Sequence, residues 1–242
     1  MVLHRVGIFG GAFDPITSGH LTICLEAINS KQIDTVWVVP CGTRPDKPKL
    51  TTSAQDRYMM CELAVSTLPL GVPVKVSDCD LSSPSSASEL LSRLRTEHPD
   101  IAFTQIVGSD RLQDGADLQE LRETFDILVV KWPGFKSADL SKYGPRARWL
   151  TMQGGCTVTE TNASSSEARR RCAQAYAAGG RPADFAALAP LVSALVLAFL
   201  KQKHLYRNEA TLAEQVQQIR ARVEAFVKGQ DCARGRVALW LS

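Results

Sequence analysis

Gly10-Gly11-Ala12-Phe13-Asp14-Pro15-Ile16-Thr17-Ser18-Gly19-His20 follows the first apolar run of the chain, Val6 to Phe9, and leads into a second, Leu21 to Ile28. A four-residue apolar run reads as a short buried strand and the longer one as a helix, so the stretch is a glycine-rich strand-to-helix turn. Such a turn aims backbone N–H groups and the positive end of a helix at an anion. The glycine pair admits close approach by a ligand, and Thr17 and His20 add a hydroxyl and an imidazole three residues apart at the helix start. Gly-Gly alone would be an ordinary turn, with His20 a satisfied helix-start histidine. With Phe-Asp-Pro and Thr-x-Gly-His attached, phosphate binding is the stronger reading.

Outward from this turn, short β-branched runs alternate with longer helical patterns. Val6 to Phe9, Thr35 to Val39, Val74 to Val76, Phe103 to Val107 and Ile127 to Val130 read as strands. Leu21 to Asn29, Ala54 to Leu68, Glu89 to Glu97 and Leu118 to Thr124 read as helices. The alternation predicts an α/β fold, a Rossmann-like parallel sheet flanked by helices, with ligands at the carboxyl ends of the strands. Ser86 with Glu89 and Ser164 with Glu167 have capping-box spacing, and Ser53 with Asp56 a weaker version of it. Ser82 to Ser88 and Lys136 to Arg148 read as long loops. After Arg181 an apolar helix from about Leu191 to Leu200 and an amphipathic one from about Leu212 to Val227 predict a helical C-terminal part. This divides the chain into an α/β unit over residues 1–181 and a helical part over 182–242 packed on the same core.

The 242 residues, 45% hydrophobic, suffice for one substantial core. The formal net charge of +3 is too small to argue for nucleic acid or an anionic membrane as a partner. Seven cysteines, Cys24, Cys41, Cys61, Cys79, Cys156, Cys172 and Cys232, form no CxxC pair. An odd, dispersed set suits reduced thiols in an intracellular protein better than disulfides or a cysteine metal site. The first strand has no signal-peptide pattern before it, and the Leu188 to Leu200 run is broken by Pro190 and shorter than the roughly 20 residues of a membrane helix. These features point to the cytoplasm, with the nucleus left open, and to a buried helix over the apolar run. Self-association is left open too.

A second constellation is Asn162-Ala163-Ser164-Ser165-Ser166-Glu167-Ala168-Arg169-Arg170-Arg171, which reads as another helix start with three hydroxyls and an arginine one turn in. Such an end can grip a polyphosphate, or it can be a capped helix with a solvated basic face. Asp110, after a strand-terminal glycine, can accept hydrogen bonds from a ribose or cap the next helix. Lys47 and Lys49 lie in a proline-rich loop, either solvated or as a mobile phosphate clamp. Arg57 can pair with Asp56 or Glu62 on the surface of its helix.

The first constellation resembles the (T/H)xGH signature of the nucleotidyltransferase superfamily, and the second its (I/S)SSTxIR-like element. Val38-Val39-Pro40-Cys41-Gly42, Lys47, Lys49, Arg57, Glu62-Leu63-Ala64, Val107-Gly108-Ser109-Asp110, Pro133-Gly134 and Lys203-His204-Leu205-Tyr206 sharpen the likeness. In order and spacing they resemble the nicotinamide/nicotinate mononucleotide adenylyltransferases, over roughly residues 5 to 206. Ser166 stands where the family usually has Thr, Ala168 replaces a larger aliphatic residue, and Trp132 stands where arginine is frequent. Around Ser86 to Glu89 the match is poor.

The resemblance implies adenylyl transfer from ATP to a pyridine mononucleotide in NAD biosynthesis, with release of pyrophosphate. It implies His20 and Thr17 as catalytic residues, and ATP held by Gly10, Gly11, Ala12, Phe13, Lys47, Ser165, Ser166 and Arg169. The mononucleotide would meet Gly108, Asp110 and Trp132, and Phe13 as well. Mg²⁺ would bind mainly through the phosphates of ATP and water, with no dedicated protein metal site. Thr17 and the SSS run also resemble phosphopantetheine adenylyltransferases, which the length, the Gly-Ser-Asp element and the His-Leu-Tyr end disfavour. A catalytically silent nucleotide-binding protein is the remaining alternative, disfavoured by the intact Thr17, His20 and Arg169.

Overall fold

The protein is described by a computed structural model over residues 3–43, 50, 52–82, 85–109, 121, 123–131, 139–150 and 163–207. In chain order its strands are β1 (His4–Gly11), β2 (Thr35–Pro40), β3 (Val74–Val76), β4 (Ile101–Gly108), β5 (Asp126–Val130) and β6 (Ala147–Trp149). Its described helices are α1 (Ser18–Asn29), α2 (Ala54–Val65), α3 (Ala87–Glu97), α4 (Ser165–Ala177) and α5 (Ala194–Gln202). The strands form one sheet in the order β3-β2-β1-β4-β5-β6, with every pairing parallel. That is a doubly wound α/β sheet, which places ligands where the winding reverses, in the crevice outside the carboxyl ends of β1 and β4.

Strict alternation along the strands separates two cores. Val36, Val38, Phe9, Ile106, Leu128 and Val130 face one side, where α1, α2, α4 and α5 supply Ile23, Met60, Cys172 and Val196. Val6, Ile8, Trp37, Val39, Phe103, Ile127 and Val129 face the other, against Leu90, Leu91 and Leu94 of α3. Both faces of these strands are buried, as a covered parallel sheet requires.

All five strands expected from the sequence are present, β3 with the expected bounds and the other four extended by one or two residues at an end. The sixth falls in the stretch read as a loop, and that reading is corrected over Ala147 to Arg148. Arg146 and Arg148 reach Asp126 of β5 at 3.4 and 3.1 Å, and Arg148 Nε donates to Gln32 at 3.0 Å. The charges that look like loop composition are the pins that hold an edge strand.

The Ser86–Glu89 capping box forms in full, and Ser53 accepts from Asp56 N–H as expected. Only half of the third forms. Ser164 Oγ accepts from Glu167 N–H, but the Glu167 carboxylate turns to Arg170 and Arg171 at 2.6 and 2.7 Å. The apolar run near Leu200 begins as a helix only at Ala194, capped by Ser193. It buries one stripe, Val196 and Leu200, and leaves Leu195 46% exposed, so it is amphipathic rather than wholly buried. Leu118 to Thr124 lies mostly outside the described residues, and Leu212 to Val227 entirely. Five of the cysteines are free thiols, while Cys156 and Cys232 fall outside the described residues. Among the described residues no helix is long and apolar enough to cross a membrane.

Candidate active site

The turn after β1 sits at the mouth of the crevice. Gly10 is exposed, and a Cβ there would meet nothing nearer than the Val39 carbonyl at 4.0 Å, whereas a Cβ on Gly11 would lie 3.1 Å from the Phe13 ring. The first glycine leaves room at the surface, and the second makes room for an aromatic side chain. Phe13 takes a left-handed φ of 48° and is buried, packing edge-on against Phe9 at 5.4 Å and His20 at 5.2 Å. Its ring therefore serves packing.

Thr17 is the N-cap of α1 and His20 its third residue, positions that in a capping box belong to Ser/Thr and Glu/Gln. Here the imidazole takes the place of the carboxylate. Thr17 N–H donates to His20 Nδ1 at 3.0 Å, and Thr17 Oγ1 lies 2.8 Å from the same nitrogen. The Thr17 hydroxyl also donates to the Ala163 carbonyl at 2.7 Å. A backbone N–H can only donate, so Nδ1 accepts and the proton of the neutral ring is carried on Nε2. Thr17 is 1% exposed, and its hydroxyl, donated to Ala163 and set beside Nδ1, orients His20.

Although an edge of the His20 ring reaches the surface, Phe9 and Phe13 pack against it, and burial holds its pKa down to about 4. The ring is neutral across the physiological range. Because an unfolded histidine takes up a proton near 6.5 and the folded one only near 4, His20 removes stability as pH falls through that window. Thermal unfolding of the wild type and of His20→Asn from pH 7 to 4 should show the wild type losing more. Parallel curves would refute the neutral assignment.

The start of α4 meets this turn directly. Ser165 Oγ donates to the Pro15 carbonyl at 2.9 Å, and Arg169 Nη1 donates to the Asp14 carbonyl at 2.6 Å. Arg169 Nη1 also lies 3.9 Å from the Asp14 carboxylate, and Nη2 donates to Ser166 Oγ at 3.3 Å. Two helix starts about 150 residues apart in sequence thus share one junction, with His20 on one and Arg169 on the other. Ser165 Oγ spends its proton on that junction. Ser166 is exposed.

Arg57 is not on a helix surface. It is 1% exposed and pairs with neither Asp56 nor Glu62; Nη1 donates to the Ala12 carbonyl at 2.7 Å and Nη2 to the Gly42 carbonyl at 2.8 Å. One guanidinium thereby joins the turns after β1 and β2. Asp14, 5% exposed, accepts from the Tyr206 hydroxyl at 2.7 Å. Gly108 ends β4 beside Val130 of β5, and Ser109 after it is buried. Lys47, Lys49, Asp110 and Trp132 lie outside the described residues.

A family model described as cytidylyltransferase-like matches residues 8–171, well over half of the chain. The probable nicotinate-nucleotide adenylyltransferase of Leifsonia xyli subsp. xyli is 30% identical over 209 residues, covering 85% of this chain and 96% of that protein. The chain belongs to the nicotinate-nucleotide adenylyltransferase family of cytidylyltransferase-like proteins. A second member of this family, the probable nicotinate-nucleotide adenylyltransferase of Geobacillus thermodenitrificans, is 33% identical over 135 residues, 54% of this chain and 62% of its own length. The fold is also that of the Plasmodium falciparum nicotinic acid mononucleotide adenylyltransferase complexed with NaAD. The TM-score is 0.67 at 22% identity, over 84% of this chain and 97% of that one.

For this nicotinate-nucleotide adenylyltransferase family member, sequence reading missed the positions of Arg57, Asp14 and Tyr206. Thr17-x-x-His20 at capping-box spacing was a readable sign that the imidazole bonds back to the N-cap. Nothing local announces that Arg57 turns inward or that Tyr206 reaches Asp14, 192 residues away.

Proposed function

We propose that the protein transfers the adenylyl group of ATP to a pyridine mononucleotide, with nicotinic acid mononucleotide as the preferred acceptor and pyrophosphate as the leaving group. The observation that carries this is the junction of the two helix starts at the carboxyl end of β1, which brings an exposed glycine, an imidazole and a guanidinium to one crevice. The acceptor preference rests on the names of the curated relatives.

A phosphate oxygen of the mononucleotide attacks the α-phosphorus of ATP in line, one P–O bond forms, and the bond to the β-phosphate oxygen breaks. The attacking oxygen is already ionised, so no general base is needed, and positioning with electrostatic stabilisation carries the rate. Neutral His20 donates from Nε2–H to the α-phosphate as charge builds there. The backbone of Gly10, Gly11, Ala12 and Phe13 lies along the phosphates. Arg169 and Ser166, with the amides at the start of α4, hold the β- and γ-phosphates, and Lys47 assists the departing pyrophosphate. Gly108, Asp110 and Trp132 face the mononucleotide, with Trp132 stacking on its ring.

Mg²⁺ fits this donor set as a passenger on the triphosphate. The Asp14 carboxylate is committed to Tyr206 and Arg169, and no group of three or more His, Cys, Asp or Glu among the described residues could hold a metal. When bound with ATP it neutralises phosphate charge. Residues 1–181 act in this reading as the catalytic unit, and 182–242 as a helical part built onto it. The packing of this part on the same core is supported by Phe185, Leu188, Val196 and Leu200 sharing a core with Phe9 and Ile23.

The deciding experiment incubates the protein with ATP, Mg²⁺ and one acceptor at a time and measures pyrophosphate. Release should be fastest with nicotinic acid mononucleotide. Release only with phosphopantetheine, or with no acceptor at all, overturns the proposal.

A further inference from the structure

The turn that ends the described chain is tied to the site more firmly than its position after the last helix suggests. Lys203 Nζ pairs with Asp56 of α2 at 3.3 Å, the Leu205 carbonyl faces Cys172 of α4, and Tyr206 donates to Asp14 Oδ1 at 2.7 Å. To bring the ring there the backbone passes through left-handed φ values of 52° at His204 and 61° at Tyr206, conformations that ordinary side chains adopt only where surrounding contacts compensate. Burial and the charge of Asp14 raise the phenol pKa, so Tyr206 is a donor at every physiological pH.

Asp14 is the relay. Its carboxylate takes the Tyr206 proton donor, while its carbonyl receives Arg169 Nη1 at 2.6 Å. A phenol from the C-terminal turn thus fixes the peptide that fixes the guanidinium. We propose that Tyr206 is a positioning residue for the triphosphate site, acting through Asp14 to hold Arg169 in the orientation that grips the ATP tail. This rests on the functional reading above, in which Arg169 binds the β- and γ-phosphates.

Tyr206→Phe removes one hydroxyl and keeps the ring. It should raise KM for ATP about five- to twentyfold, the scale of one lost hydrogen bond to a charged group passed on through a positioned neighbour, with kcat and the KM of the mononucleotide changed less than about twofold. In an Arg169→Ala background the same change should add less than about twofold, because the route runs through Arg169. Asp14→Asn, which keeps the carbonyl but weakens the acceptor, should shift KM for ATP in the same direction. Lys203→Ala, which cuts another tie of the same turn, should leave it unchanged.

Hydrogen exchange of residues 10–20 in the ligand-free protein gives a readout that needs no catalysis, and Tyr206→Phe should quicken it. An active wild type with Tyr206→Phe unchanged in KM for ATP, an undiminished effect without Arg169, or an equal effect of Lys203→Ala would overturn the proposal. A wild type that releases no pyrophosphate would instead sink the functional reading. Exchange over residues 10–20 then decides for Tyr206 by itself, and identical rates in the two proteins refute it.

Discussion

Replacing His20 with Ala should lower turnover by about 10²- to 10³-fold while leaving the fold and KM for ATP near their wild-type values, the loss typical of a single preorganised donor to a developing oxyanion. The expectation follows from the geometry of one ring. Thr17 N–H occupies Nδ1, Phe9 and Phe13 pack on the imidazole, and burial keeps it neutral, so the ring is a fixed Nε2–H donor with little freedom to reorganise as charge moves. The substitution leaves Thr17 N–H without its side-chain partner, costing about 1 kcal/mol of helix capping, which is small beside a total stability of about 5 to 15 kcal/mol. Steady-state rates with ATP and nicotinic acid mononucleotide, alongside a thermal melt, check it. Turnover within a few-fold of wild type in a folded His20→Ala protein would remove His20 from the chemistry. A conditional result is also informative: His20→Asn can still accept from Thr17 N–H, so its fold should survive better than its rate.

Arg57→Met should cost about 2 to 5 kcal/mol of stability, and more than tenfold in kcat/KM, for a reason unrelated to contact with substrate. The substitution fills the space of the stem but leaves the Ala12 and Gly42 carbonyls without their donors, at about 1 to 3 kcal/mol for each buried group. Removing a buried charge returns part of that loss, since a guanidinium is costly to desolvate. The carbonyls remain in place, however, so the unsatisfied acceptors win. The turns after β1 and β2 then lose their shared anchor, and displacements near 1 Å at a reacting centre are enough to cost the rate. Arg57→Lys should fall between, because one ammonium cannot span both turns as a planar fork does. Urea unfolding with parallel kinetics tests this. A variant as stable as wild type would show that water or neighbouring groups satisfy both carbonyls, and the assignment would fall.

The five strands, the two helix starts and the Ser86 cap follow from periodicity and spacing, because a covered parallel strand needs a continuous apolar run and a helix start needs an acceptor for its first amides. The edge strand Ala147–Trp149 was misread because its signal is ionic: Arg146 and Arg148 look solvated until Asp126 is seen opposite. The setting of Arg57 is hidden in the sequence for a related reason. Helical spacing sets which face a residue occupies, and a guanidinium beside Asp56 and Glu62 can pair at the surface, yet the face of α2 that carries it lies against two turns whose carbonyls it reaches. Ser165 and Thr17 are legible as site residues from the sequence, and the structure adds that their hydroxyls sew α4 to the turn after β1.

By itself the sequence determined that a glycine turn, an imidazole at the third position of one helix and an arginine in the first turn of another belong to an α/β protein that handles phosphate. Local rules suffice for that, since turns, caps and amphipathic periods involve residues a few positions apart. Only the tertiary structure decided which donors are spent inside the protein. Tyr206, Asp14, Arg57 and Ala163 find their partners across tens to nearly two hundred residues. Such pairings are set by how the sheet is wound and by which buried carbonyl or carboxylate lacks a donor, quantities that exist only once the chain has closed on itself.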